Sequence, residues 1–231
     1  MALPKIDAPT FMLELPSTKE TIKYRPFTVK EEKILLMASQ SGEEDDIANA
    51  VEQILTNCIM NDIDMQTLAP YEIEYLFLNL RAKSVNNVIE LKITDDEDNN
   101  EYEISINLDD IKIKEQERTN IIELSGNVVL IMKDPNYSTV KKFDKKTDDQ
   151  KMNSILIECI DQILVGDDVI LMKDHTKKEQ EEFINSLSSK NMRSIEDYFY
   201  LMPKLSHDIS YTREDGTEVT KTLEGMQSFF T

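Results

Sequence analysis

The sequence predicts an α+β fold: segregated helices with several β-hairpins and no strict βαβ alternation. Three observations carry this expectation. Apolar residues recur at helical spacing through successive segments between residues 28 and 84. The period changes to two between residues 87 and 114, and a second mixed set of strands and helices follows. No tract rich in Pro, Gly or Ser separates independent modules, and no long repeat is present.

Phe11, Leu13 and Leu15 alternate with Met12 and Glu14 before Pro16, and Ile22 and Tyr24 follow. Residues 10–27 therefore read as a strand pair around Ser17-Thr18-Lys19-Glu20. Pro26 cannot donate a ladder hydrogen bond and belongs at an edge or a strand end. Thr28 begins a helix in a capping-box pattern with Glu31, and Ile34, Leu35, Leu36 and Met37 supply its expected buried face. A second helix carries Ile47, Val51, Ile54, Leu55 and Cys58 on one stripe. A third starts near Pro70, a residue favoured in the first helical turn, and buries Ile73, Leu76, Phe77 and Leu80. Each fully buried Leu, Ile or Phe contributes about 1.5–3 kcal/mol.

Alternating runs over residues 88–93 and 102–108 flank a polar turn at 94–101 and predict a hairpin, with Ile111 and Ile113 as an extension of its sheet. Residues 112–120 are polar and without period. The boundary is placed there, giving an N-terminal region 1–118 and a C-terminal region 119–231. A strand over residues 127–132 ends at Asp134-Pro135. Met152, Ile155, Leu156, Cys159, Ile160, Ile163 and Leu164 keep one helical side apolar, with Gly166 as the stop. Thr176 and Glu179 repeat the capping box ahead of Phe183, Ile184 and Leu187. Another helix runs from about Ser189 through Met192, Ile195 and Phe199. A last hairpin turns at Glu214-Asp215-Gly216, and Met226, Phe229 and Phe230 follow it.

Composition excludes several classes of function. A net charge of −19 repels phosphate backbones and leaves no basic stripe for a nucleic acid. No run approaches the roughly 20 apolar residues of a membrane span, and the N-terminus lacks a signal-peptide run, so the expectation is a soluble protein. Cys58 and Cys159 read as reduced core thiols. Five glycines, none clustered, make no phosphate-cradling loop. His175 and His207 lie near no nucleophile motif. Asp96, Asp98 and Asn100 match the first ligand spacing of an EF-hand loop, but Glu101 stands where Gly is required and Asn107 where Glu is. The loop reads as a solvated hairpin tip. Glu43-Glu44-Asp45-Asp46 and Asp148-Asp149 lie at helix starts, where the dipole favours them. No catalytic, cofactor or metal residue is assigned. A carboxylate-dependent hydrolase would need several buried carboxylates converging in one apolar cleft.

The interaction candidates are Tyr24, Arg25 and Phe27, residue types enriched at interface centres, and the Phe229-Phe230 pair near the chain end. For Tyr24 and Phe27 the competing reading is packing on the first helix, with Phe27 as a hydrophobic staple.

The segments Tyr24-Arg25-Pro26-Phe27-Thr28-Val29-Lys30-Glu31-Glu32-Lys33 and Tyr71-Glu72-Ile73-Glu74-Tyr75-Leu76-Phe77-Leu78-Asn79-Leu80-Arg81-Ala82-Lys83-Ser84 also carry a likeness. With Leu13-Glu14-Leu15-Pro16-Ser17 and the ending Leu223-Glu224-Gly225-Met226-Gln227-Ser228-Phe229-Phe230, they resemble the baseplate hub proteins of T-even-type tailed bacteriophages, across nearly the whole chain. Members of that family are hub subunits or hub assembly chaperones. The resemblance implies a non-enzymatic role in assembling the central hub. Its expected partners are other hub proteins of the same phage, met in the host cytoplasm during assembly, with the virion baseplate as the alternative location. Self-association is left open.

Overall fold

The structure is a computed structural model that describes residues 7–41, 44–124, 126–143 and 148–229. In chain order the elements are β1 (Phe11–Glu14), β2 (Thr21–Tyr24), α1 (Val29–Ser41), α2 (Glu44–Cys58), α3 (Pro70–Ser84), β3 (Val88–Thr94), β4 (Glu101–Asn107) and β5 (Lys112–Lys114). There follow β6 (Ile121–Glu123), β7 (Val128–Met132), α4 (Tyr137–Phe143), α5 (Asp148–Cys159), β8 (Ile160–Val165), β9 (Asp168–Leu171), α6 (Lys177–Ser186), α7 (Ser189–Tyr200), β10 (Lys204–Thr212) and β11 (Glu218–Glu224). The fold is α+β, with helices beside small antiparallel sheets.

The chain divides into two compact units. The first comprises the described residues of Met1–Met65, Tyr71–Lys114 and Lys204–Thr231, and the second those of Gln66–Pro70 and Glu115–Pro203. A division at residue 118 differs from this most in the C-terminal segment, since it assigns residues 204–231 to the second region; residues 66–70 and 115–118 also change sides. In the structure β10 pairs antiparallel with β5, Lys204 opposite Lys114 and Leu205 opposite Ile113. Local periodicity carries no record of a partner so distant in sequence. The same pairing corrects the expectation that Ile111 and Ile113 extend the β3–β4 sheet; Ile113 lies in a three-stranded sheet of order β11-β10-β5.

In the first unit, β1 and β2 form the predicted hairpin, Phe11 opposite Tyr24 and Glu14 opposite Thr21. On α2 the stripe from Val51 through Ile54 and Leu55 to Cys58 is buried. On α3, Ile73, Leu76, Phe77 and Leu80 are buried, and so is Leu78. Leu78 joins a cluster with Ile89, Leu91 and Ile106 of the β3–β4 hairpin and Leu205 and Ile209 of β10.

Helix α1 departs from expectation. Its inward side is Glu31 and Ala38 with Ile34 and Leu35 half-buried, whereas Leu36 and Met37 are 57% and 71% exposed. At about 100° per residue, four consecutive apolar residues sweep roughly 300° and cannot share one side.

In the second unit a four-stranded sheet of order β6-β7-β8-β9 packs against helices. Helix α5 stops at Cys159, and residues 160–165, expected as its continuation, form β8 instead. The register explains the apparent helical period. Leu130 opposes Ile163 and Ile131 opposes Gln162, but Met132 opposes Ile160, so Asp161 is an extra residue at a β-bulge. The bulge returns Ile160 and Ile163 to one face, where both are buried. A three-residue spacing that looks helical is here a strand with one residue inserted. Gly166, expected as a helix stop, instead opens the two-residue turn between β8 and β9 with φ +60°.

Candidate interaction surface

Arg25 ties three elements together at the end of β2. Its backbone N–H donates to the Cys58 carbonyl at 3.0 Å. Its guanidinium donates to the Pro26 and Asn57 carbonyls and to Glu31 Oε1 at 3.1 Å. The Asn57 and Cys58 carbonyls end α2, where a cation is favoured by the helix dipole. Glu31 is buried, and its Oε2 accepts from both the backbone N–H and the hydroxyl of Thr28. The Thr28 hydroxyl thus donates to the carboxylate, a variant of the capping box expected there. Burial would raise the Glu31 carboxyl, but the bonds from Thr28 and Arg25 outweigh it and hold it down at about 2. Stability from this node is complete above the ordinary carboxylate range and is lost as pH falls through about 2.

The aromatic candidates face inward. Tyr24 and Phe27 are buried; the Tyr24 ring lies 5.9 Å from that of Phe11, and the Phe27 N–H donates to Ser84 Oγ at 2.9 Å. Phe229 is 1% exposed, within the cluster around Leu78 and Leu205. Phe230 lies outside the described residues. Three of the candidates, Tyr24, Phe27 and Phe229, thus belong to the interior of the first unit, and Arg25 is half-buried beside them.

Two further carboxylates, beside Glu31, are buried, and each already has its own donors. Glu72 Oε1 accepts from the Ser17 hydroxyl at 2.6 Å and from its N–H, pinning the β1–β2 turn to α3. Asp95 is 2% exposed at the β3–β4 tip. Its Oδ2 accepts from the Tyr211 hydroxyl and from Arg213 Nε at 3.0 Å, and its Oδ1 accepts from the Glu97 and Asp98 N–H groups. The Tyr211 hydroxyl above all holds the Asp95 carboxyl well below its usual range. The Asp95 contacts join the tips of hairpins β3–β4 and β10–β11, with Tyr102 stacked on Tyr211 at 4.7 Å. The loop read as a solvated tip is therefore anchored through one buried charge. A signal for it exists in Asp95-Asp96-Glu97, since an aspartate often caps N–H groups two and three residues on; its long-range partners leave none. Among the described residues no group of three or more His, Cys, Asp or Glu side chains could hold a metal.

Glu74 behaves differently. Burial raises its carboxyl to about 7, against a hydrogen bond from the Met226 N–H at 3.2 Å that lowers it. Between the ordinary 4.5 and about 7 the folded chain holds this proton and the unfolded chain does not. Stability therefore falls as pH rises through that window, by on the order of 2–3 kcal/mol. Glu74→Gln keeps an acceptor for Met226 and carries no charge. Urea midpoints at about pH 5 and pH 8 are expected to differ for the wild type far more than for the variant, with the variant more stable at the higher pH.

Outward-facing apolar residues gather on α1. Val29, Leu36 and Met37 are 65%, 57% and 71% exposed, and with Lys33 and Gln40 they occupy one helical face. A second row crosses the β1–β2 hairpin, where Met12 opposes Lys23 and the Met60 N–H donates to the Lys23 carbonyl. Met12 and Met60 are 72% and 56% exposed. These side chains, unlike the buried aromatics, present exposed apolar area on the first unit.

A protein-family model described as T4 bacteriophage base plate protein matches residues 8–231. The chain belongs to that family. The resemblance carried by the segments at residues 24–33 and 71–84 is borne out at the level of the T4-type base plate. No curated protein and no solved structure matches the chain. Membership associates this base plate protein with the virion tail and with other base plate proteins as partners. No helix among its described residues is long and apolar enough to cross a membrane.

Proposed function

We propose that this base plate protein acts, without catalysis, in assembling the central hub of the tail base plate, as a chaperone that holds hub proteins in the host cytoplasm and then departs. The observation that carries the reading is the exposed stripe of Val29, Leu36 and Met37 on α1, an apolar contact strip on a chain of net charge −19. A highly charged surface keeps such a protein soluble while unbound, and the strip supplies a weak, releasable contact. The buried carboxylates support the non-catalytic part of the reading, because each already serves separate structural donors. A permanent hub subunit would instead bury an interface of roughly 2,000 Å² or more.

Mass spectrometry of mature particles, beside assembly intermediates captured with this protein tagged, tests the proposal. Presence in intermediates and absence from particles is expected. Stoichiometric presence in particles would make it a hub building block, and absence from both would remove the hub role.

A further inference from the structure

Basic residues are the minority on this chain, yet the second unit collects them at one place. A cavity of about 250 Å³ is lined by Lys133, Lys173, His175 and Lys177, over Ile157 and Ile160. Ile157 also lines a neighbouring cavity of about 340 Å³ between α5 and α6, so the two adjoin along the groove beside α5. The second cavity presents the amides of Gln150, Asn153 and Asn185 beside Ile184, with the Glu181 carboxylate on its α6 side.

The charges within the basic part do not cancel. Lys133 pairs with Asp161 at 3.6 Å, and Glu158 is held by Lys142. His175 lies 3.9 Å from Glu179, whose carboxylate already accepts from Thr176 in the α6 capping box. Lys173 and Lys177 remain without a carboxylate partner among the described residues. Two free ammonium groups at one end, an apolar floor, and three amides with one carboxylate, Glu181, at the other make a composite site. Amide side chains offer a donor and an acceptor together, the pattern that a peptide backbone presents. Lysines supply attraction for carboxylates, and the isoleucines supply dry area.

We infer that this groove docks an extended acidic segment of a partner protein, its carboxylates on Lys173 and Lys177 and its backbone along Asn153 and Asn185. Charge complementarity selects the occupant. The chain's overall charge of −19 opposes a phosphate backbone over the surrounding surface, whereas a short carboxylate-bearing segment engages only the local basic site. The site rests on no residue of α1 and stands whether or not the hub role does.

The test is fluorescence anisotropy of the full-length protein with labelled oligo-glutamate, oligo-lysine and single-stranded oligonucleotide probes. Oligo-glutamate is expected to bind, and to weaken as salt is raised. Lys173→Glu with Lys177→Glu is expected to reduce its affinity by about tenfold or more. Lys178→Glu with Lys190→Glu changes the net charge equally outside the groove lining and is expected to leave affinity within about twofold. All four lysines are exposed, so circular dichroism should report the same fold for each variant. Absence of oligo-glutamate binding, or equal loss in the control pair, would overturn the inference. So would preferential binding of the oligonucleotide through the same lysines, or self-association of the free protein that the first pair abolishes.

Discussion

Phe229→Ala is expected to destabilise the first unit by about 3–5 kcal/mol, the range for removing a fully buried aromatic ring. The ring is 1% exposed among Leu78, Ile89, Ile106, Leu205, Ile209 and Leu223. Its position is set by a short 3-10 turn, Met226–Phe229, tied down at several points. The Gly225 N–H donates to the Leu205 carbonyl at 3.0 Å, the Met226 N–H to Glu74, and the Ser228 hydroxyl to the Glu224 carbonyl. Alanine would leave a ring-sized cavity between a helix, a hairpin and a three-stranded sheet, which cannot all close on it together. Urea denaturation followed by circular dichroism measures the loss. A change below about 1 kcal/mol, combined with collapse of partner capture, would return Phe229 to the role of an interaction residue.

Leu36→Asp with Met37→Asp is expected to have the opposite signature. Both side chains are more than half exposed, so stability should stay within about 0.5 kcal/mol per site. Capture of base plate intermediates should weaken by about 30-fold or more, since a residue at an interface centre is worth about 2 kcal/mol. Ser39→Asp, on the same helix but off the stripe, should leave capture intact. Undiminished capture by the double variant would remove α1 as the contact surface, whatever the protein's role in the hub.

Much of the fold was legible because local chemistry and tertiary structure agree there. Thr176 and Glu179 form the full reciprocal capping box. The register from Val88 opposite Asn107 to Thr94 opposite Glu101 matches the alternation of the two strands. The failures have separate causes. At residues 160–165, a bulged strand and a helix present the same apolar spacing, and only the partner strand β7 distinguishes them. On α1, four apolar residues in succession do not say which turn inward, because packing against the rest of the unit chooses. The exposed apolar strip on α1 was hidden for that same reason. An interface residue and a core residue are the same Leu or Met until burial separates them. Tyr24 and Phe27, chosen for residue type, packed inward, while Leu36 and Met37, assigned to the core, faced solvent.

The pairing of β5 with β10 sets an order of events during synthesis. On the ribosome, β5 emerges about 90 residues ahead of its partner strand, a delay of roughly 5–20 s at ordinary elongation rates. Within that interval the second unit is translated almost whole and can fold. Leu78, Ile89 and Ile106 must meanwhile wait for Leu205, Ile209 and Phe229 to cover them. The nascent chain therefore carries an unfinished apolar face and a free strand edge, a state prone to aggregation. A slow codon run or a stall between residues 115 and 203 would lengthen this exposure without altering one residue of the finished protein.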